Sequence, residues 1–414
     1  MALITRRTAA AGFAAASLAA CTGPTGTAFS GRLSFRHGVA SGDPGADRVV
    51  IWTRVSPEGT GVVPVRWIVA RDEALSAIVR SGEAQASAER DFTVKVDVDG
   101  LSPGQRYFYG FIAGEEKSPV GRTRTLPSAG VAEIKLAVAS CSSFSHGFFN
   151  AYEALSKRED VDFVLHLGDY IYEYGLSGYG GQEALALARL PRPNVECVTL
   201  EDYRARHAQY KEERELQAAH AAFAWFVAWD DHEVADDSYA QGAFNHQRND
   251  GEGEWPARAG GALRAYYEWM PIRDPAPTRR QEQAWRSVDF GDLATLVLLE
   301  TRLSARDRPL EYLKDLKPIS AVWDFADPNN PKRVAFGAPR PLAARDVPVP
   351  FDVSTNPPTP IEDWRRIRAI DPQKPPFGVA FLPDLEALNA QLDDPKRRML
   401  GEDQEAFLLS EIAR

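Results

Sequence analysis

Three short apolar runs, Ile134–Ala139, Phe163–Leu167 and Phe223–Trp229, each stop abruptly at residues that carry chemistry. Cys141 follows the first run, Asp169 and Tyr172 follow the second, and Asp230-Asp231-His232-Glu233 follows the third. Helical patterns lie between them. Phe149–Lys157 is one, and Leu200–Ala222 is another, opened by Thr199 and Asp202 at capping-box spacing. Alternating strand and helix predict an α/β layered domain, with Leu293–Leu299 as a further buried strand. In such sheets ligands gather at the carboxyl ends of the strands. One sheet edge therefore collects a thiol, a phenol, an imidazole and several carboxylates.

Those residue types point to metal ions. Gly168 lets the backbone turn tightly at the strand end, and Asp169 then projects from the loop, where its two oxygens can bridge two cations. Four adjacent polar residues after an apolar strand are costly unless they are solvated or ligated. Asp and His are ordinary ligands for hard and borderline metals. Taken singly, each residue has a blander role. An Asp after a strand is usually a turn or cap residue, a lone Cys141 a core thiol, and a lone Tyr172 a packing aromatic. Their occurrence together, at successive strand ends, favours the site. His166 is expected inside its strand as a structural residue. His207 and His220 are expected to be packing or surface residues of the long helix.

Residues 31–128 read differently. Short β-type runs, Arg48–Val55, Val65–Val69, Phe92–Val98 and Tyr107–Ile112, are joined by turns such as Gly42-Asp43-Pro44 and Ser102-Pro103-Gly104. This spacing predicts a β-sandwich with a structural or docking role. It carries no ligand cluster, and Ser41 in HGVASG is misplaced for a nucleophile elbow.

Residues 1–30 read as an export leader. Arg6 and Arg7 precede a small-residue apolar run to Ala20 that is too short to span a bilayer in the mature protein. The arginine pair suggests the twin-arginine (Tat) export machinery, which carries folded proteins. Leu18-Ala19-Ala20-Cys21 resembles a lipoprotein processing site, and lipid on Cys21 would tether the protein to a membrane. The expected location is periplasmic, cell-surface or secreted. The three cysteines, Cys21, Cys141 and Cys197, are no disulfide framework and leave at most a Cys141–Cys197 bridge in the mature chain. A net charge of −10 argues against a stable nucleic-acid partner held by bulk electrostatics. A phosphorylated substrate stays open, because a bound metal inverts the local charge.

The stretches ASCSSFSHGFFNAY (139–152), DFVLHLGDYIYEYG (162–175), TLEDYRARHAQYK (199–211) and LQAAHAAFAWFVAWDDHEVADD (216–237) resemble the PhoD-type alkaline phosphatases, a calcineurin-like metallophosphoesterase group. HGVASGDP (37–44) and the turn and strand Gly100–Tyr109 resemble that group's fibronectin type III-like N-terminal domain. The resemblance covers most of residues 31–303 and weakens beyond Arg302. It implies a phosphomonoesterase or phosphodiesterase that uses Fe(III) and calcium. Its substrates would be phosphate-ester small molecules or phosphodiester polymers. By motif, Cys141, Asp169 and Tyr172 would hold the iron, with Asp169 shared. Asp231 would bind the second metal, and His232 would sit beside the scissile phosphate. The implied mechanism is in-line attack by a metal-bound hydroxide, with the metals and His232 stabilising the developing charge. Two positions depart from the family pattern. Ala235-Asp236-Asp237 stands where Asn is usual, and Glu300 stands where Asp is usual.

Arg306–Pro376 is proline-rich and is expected to be an irregular excursion over the active-site edge. Gly401–Arg414 reads as an amphipathic helix. The family's later G-D-x-H loops are not found, and all seven histidines lie at or before His246. The phosphatase domain, residues 133–414, is therefore expected to be incomplete at its C-terminal side. On its own the chain is expected to bind metal weakly and to have little activity. The competing expectation is a non-catalytic or fragmentary phosphatase-like surface protein. A cysteine phosphatase is disfavoured, because Gly147 stands where the arginine six residues after Cys141 would be needed.

Overall fold

A computed structural model describes residues 29–311 and 315–414. The leader residues Arg6, Arg7 and Cys21 lie outside the described residues. The strands Leu136–Ala139, Phe163–His166 and Ala224–Val227 pair in parallel, with Leu136 opposite Phe163 and Phe163 opposite Ala224. The second and third are four-residue strands buried at every position and apolar except at His166, as parallel strands covered on both faces must largely be. The helix Asn150–Ser156 and the pair Leu200–Lys211 and Arg214–Ala222 make the crossovers between them.

This sheet continues into the strand-rich N-terminal part. Val39–Gly42 pairs in parallel with Ala224–Val227 through Ser41–Ala224 and Gly42–Trp225. Val49–Arg54 and Thr93–Val98 then extend it antiparallel to six strands. A second sheet orders Gly121–Arg124, Arg106–Ala113, Val63–Ala70 and Ile78–Ala86. Val39, Val49 and Ile51 from the first sheet and Val65, Tyr107 and Phe111 from the second share one apolar cluster.

The HGVASGDP segment is thus the seam between the two parts. A Cβ at Gly42 would lie 2.4 Å from the Pro271 carbonyl oxygen and 2.7 Å from that of Trp225, so only glycine fits there. Asp43 is buried beside it. It accepts from Arg286 Nη2 at 2.8 Å and from the Arg273 backbone N–H at 2.9 Å.

Three sequence expectations need correction. The single helix over Leu200–Ala222 is two helices, parted at Glu212-Glu213, where Glu213 takes an extended backbone. No glycine or proline marks the break. Gln217 makes it tolerable by donating its amide to the freed Lys211 carbonyl at 2.6 Å. The capping box of Thr199 and Asp202 is formed. The strand Ala294–Leu298 is not part of the main sheet and is only partly buried. It forms a hairpin with Arg286–Phe290, and Phe290 and Leu298 pack on Phe163, Leu165 and Phe226.

The proline-rich region is not irregular either. It holds two small antiparallel sheets, centred on Ser320–Asp324 and Pro350–Asp352, around Trp323, Ile361 and Ile367. Pro348, Pro350 and Pro360 sit at strand ends, where a missing N–H does least harm.

His207 and His220 are packing residues, both fully enclosed, as is His166. Burial holds His37, His166 and His207 down at about 3, helped at His37 by the Arg54 charge. It lowers His220 well below the ordinary imidazole value. These groups stay neutral in the folded chain but bind protons in the unfolded chain below about pH 6.5. Stability is therefore fully present above pH 6.5 and is lost as pH falls towards 3, by about 1.4 kcal/mol per pH unit for each excess proton the unfolded chain binds. The thermal midpoint is expected to drop steeply between about pH 6.5 and 4. A flat midpoint in a pH series of melts would contradict the burial of these imidazoles as neutral groups.

Candidate metal centre

The loops after the three parallel strands meet at one edge. Cys141 and Asp169 both take left-handed backbones, with φ of 56° and 53°. Non-glycine residues adopt this conformation at a cost of about 1 kcal/mol or more, so the surroundings must enforce it. They do: the Cys141 N–H donates to the Gly168 carbonyl at 3.2 Å, and the Ser142 N–H donates to the Asp169 carbonyl at 2.9 Å. The two loops are zipped together by their backbones.

Asp169 is the hub. Cys141 Sγ lies 3.4 Å from its Oδ2, and Tyr172 Oη lies 3.3 Å from the same atom. Its Oδ1 is buried and has no hydrogen-bond partner among the described residues. Ligand atoms of Asp169, Asp231 and His232 all lie within 4.8 Å of one another. All five predicted residues therefore converge.

The run Asp230–Glu233 splits into different tasks. Asp231 and His232 face the cluster. Asp230 accepts from Arg302 Nε at 2.6 Å. Glu233 is fully buried and accepts from the backbone N–H groups of Tyr170 at 2.6 Å and Asp230 at 2.9 Å. It clamps two ligand loops together and is not a ligand. Burial first, and then the Asp169 charge, push its carboxyl up to about 8.

Sequence reasoning missed Glu173 and Arg302. The sequence pattern groups Glu233 with the donors, and a carboxylate next to apolar Val234-Ala235 is the available signal that it is enclosed instead. Nothing local marks Glu173. It is fully buried, lies 2.8 Å from His232 Nδ1, and accepts from the Asp236 N–H and the Asn245 amide, each at 2.7 Å. Glu300, one of the two departures, is a turn-former. It accepts from the Trp229 indole at 2.9 Å and from the N–H groups of Arg302, Leu303 and Ser304. Of the other departure, Asp237 reaches the cluster through its backbone, donating to Asp231 Oδ2 at 2.6 Å.

His232 stacks on Tyr172, with ring centroids 4.4 Å apart. Burial alone would lower its pKa. The Glu173 hydrogen bond and charge, with Asp231 and Asp169, outweigh that and raise it to about 9. Burial raises Asp169 and Tyr172. Cys141 is raised too: the Ser140 hydrogen bond lowers it, but burial and the Asp169 charge prevail. Thiol, phenol and carboxyl thus resist ionising beside one another, and a cation among them would reverse that balance. With the partnerless Asp169 oxygen, this donor set fits a metal ion. Cys141 and Cys197 are both free thiols, so the bridge that the cysteine count allowed is not formed. A cleft of about 630 Å³ opens beside Cys141, lined in part by Val138, His146, Phe148 and Tyr152.

Comparison with known proteins gives consistent matches. The family described as PhoD-like phosphatase matches residues 136–414, and its N-terminal domain matches residues 20–127. Alkaline phosphatase D of Bacillus subtilis (strain 168) is 43% identical over 278 residues, covering 65% of this chain and 46% of that protein. A solved structure of PhoD superposes with a TM-score of 0.60 at 40% identity, covering 69% of this chain and 55% of the other. The chain spans about half the length of these relatives.

Proposed function

The chain belongs to the PhoD-like phosphatase family, and on that premise we propose that it is an exported, metal-dependent phosphoesterase acting on phosphate monoesters or diesters. The observation that carries this reading is the Asp169 carboxylate. A thiol and a phenol converge on one of its oxygens, and the other oxygen is buried without a partner. Cys141, Asp169 and Tyr172 would hold Fe(III), since thiolate and phenolate favour a trivalent ion. Asp231, with Asp169 shared, would hold calcium, since carboxylate oxygens suit a hard cation. Bound there, the metals would supply Lewis acidity at the phosphoryl oxygens.

The chain's own groups do the rest. His232 is locked by Glu173 and stacked on Tyr172, and the Glu173 hydrogen bond and charge favour its protonated form. It would donate a hydrogen bond to charge developing on the phosphoryl group, and a proton to the departing oxygen. Glu173 holds the imidazole ring in place. Glu233 fixes the distance between the Asp169 and Asp231 loops.

The test uses protein purified from the exported fraction of expressing cells. Its iron and calcium are measured, and monoester and diester substrates are assayed. Stoichiometric iron, visible colour from the Tyr172 phenolate and hydrolysis of at least one ester class are expected. Tyr172→Phe should lose the colour. A colourless wild type with full iron would contradict the Tyr172 assignment, and a coloured protein inactive on both ester classes would contradict the activity.

A further inference from the structure

The acidic rim of the site contains a cation of its own. Arg302 reaches three carboxylates of one loop: Asp230 Oδ1 at 2.6 Å, Asp231 Oδ1 at 3.5 Å and Asp237 Oδ1 at 3.4 Å. Its side chain is 13% exposed, so this is not a loose surface arm. The backbone that presents it is rigid. Glu300 gathers the N–H groups of Arg302, Leu303 and Ser304. Gln404 fixes Glu300 in turn, accepting from its N–H and donating to its carbonyl, each at 2.7 Å. The helix Glu402–Ile412 therefore braces the arginine against the site.

Asp231 is where this matters. Its Oδ2 already accepts the Asp237 N–H at 2.6 Å, and its Oδ1 faces Arg302. A cation that binds Asp231 must share a carboxylate with a guanidinium only a few ångströms away. Two positive charges at that range, in a partly buried site, repel strongly. The partnerless Oδ1 of Asp169, a residue only 7% exposed, is the independent sign that a cation belongs in this cluster.

We propose that Arg302 is a built-in counter-cation that competes with a divalent ion for Asp231 and so sets how tightly the site holds that ion. It is a positioning residue for the site's charge. The inference rests on the reading of Asp231 as a ligand of the second metal. Without that ion, Arg302 neutralises the rim and keeps Asp230, Asp231 and Asp237 together. When the ion binds, the guanidinium must yield part of its hold on Asp231.

Calcium titration of the full chain by calorimetry tests this without reference to turnover. R302Q, which removes the charge, is expected to bind calcium at least about tenfold more tightly than wild type. R302K keeps the charge and loses the planar fork, and should stay within about threefold of wild type. Thermal melts check that each variant is folded. Equal or weaker calcium binding by R302Q would overturn the proposal and leave the metal site standing. If neither wild type nor R302Q binds calcium, both the proposal and the assignment of Asp231 to the second metal fall.

Discussion

On the proposed function, Asp169→Asn is expected to lose bound metal and to lower phosphoesterase kcat/KM by at least about 10²–10³-fold, the scale of removing one group that stabilises transition-state charge. The amide matches the carboxylate in size, so packing is not at issue. What goes is the charge on which the Cys141 thiol and the Tyr172 phenol converge. The fold should not suffer. Among the described residues Asp169 uses its side chain to cap no backbone N–H, and burial already disfavours its charged form. The metal-free variant should therefore melt at or above the temperature of the metal-free wild type. Metal analysis, steady-state assay and melting separate the two effects. An Asp169→Asn protein that binds metal as wild type does would remove Asp169 from the proposed centre.

Gly168→Ala is expected to unfold the protein more easily by about 3 kcal/mol or more and to disrupt the metal centre with it. Replacing glycine by alanine commonly stabilises, because it restricts the unfolded chain. Here the folded chain forbids it. Gly168 sits at φ +112°, and its Cβ would meet Asp230 N at 2.3 Å and Trp229 C at 2.7 Å. Those are backbone atoms that cannot rotate away. They are also held from the other side, since Glu233 ties Asp230 N to Tyr170 N. The methyl group would drive apart the loops that carry Asp169 and Asp231. Denaturant titration measures the cost, and a change below about 1 kcal/mol would mean that the loops are looser than their contacts imply.

The contrast between Gly168 and its neighbours shows what local sequence carries. Gly168, Asp169 and Tyr172 stand out because an apolar strand ends sharply at a glycine followed by a carboxylate and a phenol. Asp231 and His232 stand out in the same way after the next strand. Asp230 and Glu233 carry the same local signature, yet one pairs with Arg302 and the other clamps two backbones. Glu173 lies 59 positions from the imidazole it holds. No spacing rule reaches that far.

The same division runs through the fold. The parallel strands and their order are written in short-range pattern, because a buried strand must be apolar along its whole length. That Val39–Gly42 would pair with Ala224–Val227 and join the two parts into one sheet is not written there. A strand's sequence states that it wants partners, not which ones, and the choice depends on contacts such as Gly42 under Trp225.

By itself the sequence determined the three parallel strands, their order along the chain and the donor chemistry at their ends. All of these follow from residue type and near-neighbour pattern. Only the tertiary structure decided which carboxylates face a cation, which fasten backbone and which meet Arg302. Those roles are set by burial and by partners brought together from distant parts of the chain.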